Sequence, residues 1–165
     1  MSTAPDQNLL GVLLDSWDRN NTILVNLLRA IPEGGLEIRA MEGSPSIAQM
    51  FAHMHYVRLV FLSEDAPEFA KNMPEEEWAD ERDRTRMAQM LNDSAQAVRE
   101  AVKSKVQAGQ EMNLHFDHPI LLLQHMIWHD GYHQGQIKLA LKLAGRPITN
   151  KEAGPLTWRV WMNKK

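Results

Sequence analysis

The stretch HMIWHDGYHQGQ carries histidines at 125, 129 and 133 and a glutamine at 136. Imidazole binds metals and moves protons, so this spacing raises a chemical question before a structural one. On a helix, residues four apart rise about 6 Å and face the same way, so an adjacent pair can share one ion; residues eight apart, at about 12 Å, cannot. With His129 as zero, His133 falls near 40° and Leu122, Met126 and Ala140 at about 20°, 60° and 20°. Both imidazoles therefore lie in the middle of an apolar stripe. Gln136 falls at about −20°, also inward, while His125 lies at the stripe's edge, about −40°.

A polar ring in a core stripe costs free energy unless something pairs with it, and a metal ion is one such partner. The better centred pair is His129 with His133. A third ligand must come from a facing helix, where FAHMHY offers His53 and His55; His53 lies closer to the interior, about 80° from the stripe's centre against about 120°. A His-x-x-x-His pair alone is a weak signal, since it most often means two satisfied or half-exposed histidines.

The elements that must position these groups are helices. Pro5 to Ile31 places Leu10, Leu13, Leu14, Trp17, Leu24 and Leu28 at helical spacing before Pro32 and Gly34. A second helix is expected after Ser44 as cap and Pro45 at the first position, with Ile47, Met50, Met54, Val57 and Phe61 inward, ending before Pro67. A third spans about Thr85 to Ala108, with Met87, Met90, Leu91, Val98 and Val102 inward and Gly109 as its stop. The fourth runs from Asp117 or His118 to Ala144. Between the second and third lies the acidic segment 63–84, twice interrupted by proline, which reads as a solvated crossing connection with a short helical turn. In the tail, Trp158 and Trp161 are expected to cover one end of the bundle. The expectation is an all-α four-helix bundle, a single domain over 1–165, with a longer connection between helices 2 and 3.

Composition narrows the function. The 165 residues carry a formal net charge of −3, which gives no general attraction to nucleic acid or an anionic membrane. There is no cysteine. Thiolate ligands, disulfides and a protein thiol nucleophile are excluded together, and any sulfur chemistry must use a thiol brought by the substrate. No signal peptide and no apolar run near ~20 residues is present, which reads as a cytoplasmic chain.

The segments IPEGGLEIRAMEGSPSIAQMFAHMHYVR and HMIWHDGYHQGQIKLALKLAG resemble the DinB/YfiT-like superfamily of metal-binding four-helix bundles. The latter segment is similar to that family's last-helix pattern of His, three residues, His, a variable residue, then Gly-Gln-Ile. The resemblance implies that His53, His129 and His133 bind one divalent ion, nickel or zinc, with iron a further option. It implies a homodimer and, from relatives that use a low-molecular-weight thiol such as mycothiol or bacillithiol, a metal-dependent thiol S-transferase acting on a small-molecule substrate. This chain departs from the pattern at Gln134, where the family usually has an arginine, so an anion held by that arginine has no counterpart here.

Three neutral imidazoles leave an ion's charge uncompensated and a coordination position open, the arrangement of a catalytic site, where bound water or thiol becomes more acidic. Gln136 and Asn21, the latter about 20° from the centre of the first helix's stripe, are candidates to support the imidazoles or touch substrate. For Asn21, a core-edge asparagine bonded to backbone or water is the alternative. Asp130 points off the buried face, which suits a cap, an inter-helix contact or plain surface. His55 and His125 have no assigned role. Two other functions compete: hydrolysis at the metal, and a non-enzymatic, stress-induced dimeric bundle whose metal is structural or incidental. A di-iron carboxylate centre is excluded by the absence of any Glu-x-x-His.

Overall fold

The computed structural model describes the backbone of residues 5–164 and side chains from residue 9 to 164. Four long helices dominate: α1 (Pro5–Ala30), α2 (Ile47–Asp65), α3 (Arg84–Ala108) and α4 (Pro119–Leu143). Two short ones follow, α5 (Asn150–Leu156) and α6 (Trp158–Met162). The architecture is an all-helical bundle, and among the described residues there are six helices where the sequence pattern suggested four.

Local chemistry explains the boundaries. The cap of α2 is Ser46, not Ser44: its hydroxyl accepts from the Gln49 amide while the Gln49 side chain accepts from the Ser46 amide, a closed capping box. Pro45 therefore sits just outside the helix. Asp83 caps α3 through the amides of Thr85 and Arg86, and Gly109 ends it with φ of 63°, a left-handed turn that costs glycine nothing. His118 caps α4, with Pro119 at the first helical position.

Two apolar clusters fill the bundle. One gathers Leu24, Leu28, Phe51, Met54, Leu91 and Ile137; the other gathers Trp17, Leu62, Val98, Val102, Leu122 and Met126. Between them runs a polar layer: Arg58 and Asp130 are both fully buried and meet at 2.7 Å. Asp130 makes an inter-helix contact, one of the roles expected of it, but from inside the bundle, which corrects its placement off the buried face. The reason is that α4 packs against α1, α2 and α3, so its buried face is wider than one stripe.

The tail also departs from expectation. It packs along α1, with Arg19 donating to the Val160 and Asn163 carbonyls and Asn26 to the Leu156 carbonyl. Trp158 and Trp161 remain 44% and 42% exposed. No described helix is long and apolar enough to cross a membrane.

Candidate metal centre

His53 reaches the site from the first turns of α2; His129 and His133 reach it from one face of α4. The Nε2 of His129 lies 3.2 Å from the Nε2 of His53 and 3.2 Å from that of His133. One ligand atom from each ring lies within 4.8 Å of the others. On a tetrahedral ion bonded at about 2.0–2.1 Å, neighbouring nitrogens stand about 3.3–3.4 Å apart. The two separations from His129 are close to that spacing, and the three-histidine group could hold an ion.

A family model described as the DinB family matches residues 1–155. The chain belongs to the DinB family. No curated protein and no solved structure matches it.

Proton placement in this DinB site strengthens the fit. A neutral imidazole carries one proton on two nitrogens. The Nδ1 of His133 is 2.8 Å from Gln136 Oε1, which only accepts, so Nδ1 bears the proton and Nε2 presents a lone pair. The Nδ1 of His53 is 2.9 Å from Glu77 Oε1, a contact that lies off the ring N–H direction and leaves Nδ1 without an aligned hydrogen bond. The His133 lone pair and the Nε2 of His53 thus converge on the Nε2 of His129. Only a proton shared between them, or a cation, can occupy that junction without repulsion. The Nδ1 of His129 is buried with no partner.

Burial is the main reason why all three rings resist protonation. It pushes His129 down to about 3, with His133, His53, His125 and Arg58 adding to the effect. His53 is lowered by burial and by His133, against the opposing pull of Glu77. His133 is lowered by burial, against Gln136 and Asp130. The rings are therefore neutral at neutral pH, the form that binds metal.

The acidic connection contributes what its sequence did not advertise. Trp78 lies flat on His53, ring centroids 4.0 Å apart and planes parallel, and its carbonyl accepts from Gln49 Nε2. Glu77 precedes it. The segment read as solvated thus supplies a wall and a proton acceptor, while its expected helical turn is the 3-10 turn Pro67–Phe69. Aperiodic loops leave no spacing from which such contacts can be inferred.

The other named residues divide. Gln136 touches His133 and also donates from Nε2 to Tyr132 Oη at 3.1 Å. Asn21 is directed elsewhere: it accepts from Arg58 and donates to Asn92 Oδ1, so it supports the buried pair and not an imidazole. His55 is buried between α2 and α3, and burial first, then Arg58, lowers it to about 4. His125 stacks edge-on with Phe61 and tilts toward Phe116 and Trp128. Gln134 is half-buried.

Proposed function

We propose that His53, His129 and His133 hold one divalent ion, nickel or zinc, and that the protein is a metal-dependent enzyme of the thiol S-transferase type. The observation that carries this reading is the convergence of the His53 and His133 Nε2 atoms on that of His129, each at 3.2 Å, with the His133 lone pair fixed by the acceptor behind its ring. Such an ion would supply a Lewis acid with an open position, able to acidify a bound thiol or water. The chain's own residues do the rest. Gln136 holds the Nδ1 proton of His133 and so keeps that ring aimed, while Glu77 places a carboxylate beside His53 Nδ1. Trp78 and Tyr132 form apolar walls beside them, a setting suited to a small substrate with a non-polar body. The absence of cysteine requires the sulfur to come from a low-molecular-weight thiol.

A homodimer is part of the proposal. Leu121, Trp128, Tyr132, Leu139 and Leu143 fall within a band of about 60° on α4, and Trp128 and Tyr132 are 66% and 53% exposed. A largely apolar stripe along the helix, broken by His125, suits an isologous pairing with a second copy.

The deciding experiment is metal content by mass spectrometry on untagged protein purified without chelator, beside His133→Ala. Close to one ion per chain in the parent, lost in the variant, supports the site and justifies assaying the metal-loaded protein with thiols and electrophiles. Equal, negligible metal in both sinks it. Turnover that requires metal but no thiol replaces transfer by hydrolysis.

A further inference from the structure

Arg58 and Asp130 form an ion pair with 0% exposure on both side chains, Nη2 to Oδ2 at 2.7 Å. Such pairs are seldom retained for stability, because an apolar pair of similar volume does as well or better. This one is also incompletely satisfied: Arg58 Nε and Asp130 Oδ1 are buried with no hydrogen-bond partner. Something other than stability accounts for it.

Its place in the bundle says what. Asp130 follows His129 directly, and Arg58 lies five residues beyond His53, a rise of about 7.5 Å along α2. Each half of the pair therefore belongs to a helix that carries ligands. The remaining bonds reach the other two helices. Asn20 Nδ2 of α1 donates to Asp130 Oδ2 at 2.7 Å, and Arg58 Nη1 donates to Asn21 Oδ1 of α1 at 3.0 Å and to the Leu91 carbonyl of α3 at 2.9 Å. Arg58 also lies 4.8 Å over the ring of Trp17, whose Nε1 is fixed on the Ala95 carbonyl at 2.8 Å.

Apolar helix faces can slide past one another at little cost, whereas a set of directional bonds has one register. A shift of α2 by a single residue, about 1.5 Å and 100°, would remove His53 from its contact with His129. We propose that the Arg58–Asp130 pair is a positioning device for the three imidazoles, locking α2 against α4 in the register that brings their Nε2 atoms together. It rests on the reading of those imidazoles as a metal site.

The test compares the parent with Arg58→Met/Asp130→Leu, using cobalt(II) alone as the probe. Affinity and the visible d–d spectrum are read by titration, and melting temperature by circular dichroism without metal. The pair variant is expected to melt no lower than the parent yet to bind cobalt roughly 10-fold to 100-fold more weakly, with an altered band, the loss typical of removing an outer support. A folded variant with the parent's affinity and spectrum overturns the positioning role. A parent that binds no cobalt overturns the metal reading itself, a separate outcome. Should the pair variant fail to fold, Arg58→Lys keeps the charge and drops the planar fork; unchanged cobalt affinity and spectrum there overturn the proposal, and weakened affinity with an intact fold supports it.

Discussion

The indole of Trp78 lies parallel to the imidazole of His53 at 4.0 Å, so a residue of the α2–α3 connection forms part of the wall of the three-histidine site. If cobalt or nickel binds there, Trp78 is the fluorophore nearest to it, and quenching on metal addition is expected in the parent and strongly reduced in Trp78→Phe. Removing the ring altogether, Trp78→Ala, should speed metal exchange with a chelator, measured by stopped-flow, while the melting temperature of the metal-free protein hardly moves. Unchanged exchange would deny Trp78 a covering role.

Gln136 accepts from His133 Nδ1 and is tied to Tyr132. Replacing it with leucine leaves that ring without its acceptor, and metal affinity should fall by roughly 10-fold. Tyr132→Phe, which removes only the hydroxyl, should have a smaller effect. Competition titration against a chromogenic chelator measures both.

Stability should depend on pH through His55. Its folded value, about 4, lies below the ordinary 6.5. The unfolded chain therefore takes up a proton between those values that the folded chain refuses, and stability declines as pH falls from about 6.5 toward 4. Above that window the effect vanishes. Urea unfolding of metal-free protein across this range should show a shallower decline for His55→Gln than for the parent.

Asp65 offers a stability test far from the metal. Its buried carboxylate accepts from the Leu114 and His115 amides through Oδ1 and from His115 Nδ1 through Oδ2, joining the end of α2 to the loop before α4. Burial pushes its pKa up, but those bonds outweigh it and hold the group below the usual range. Asp65→Ala strands two amides, and a loss of about 2 kcal/mol is expected in chemical denaturation.

Dimerisation predicts its own variant. Trp128→Glu puts a charge in the exposed stripe of α4, and sedimentation should show a monomer where the parent is dimeric. A parent already monomeric at high concentration would dispose of the pairing.

The helical plan was readable because apolar spacing and caps are local, and so was the juxtaposition of His129 with His133. The pairing with His53 came from a choice between two histidines of α2, both of which prove to be buried. Arg58 and Asp130 were not. A charged residue on a helix is normally solvated, and assigning Asp130 by its angle from one stripe fails for a helix covered on several sides. Glu77 and Trp78 left no trace either, because their positions follow from how a loop folds back over α2.

The division between frame and wall has a further consequence. The imidazoles stand on long helices locked by a buried polar layer, whereas Trp78 and Glu77 stand on a connection held near the site by Gln49 and by the exposed contact of Arg82 with Glu37. Changes in that connection would alter what borders the three imidazoles without disturbing the helices that hold them. On the proposed reading, selection can vary the molecules admitted to the site through one surface segment while the three histidines that would hold the ion stay in place.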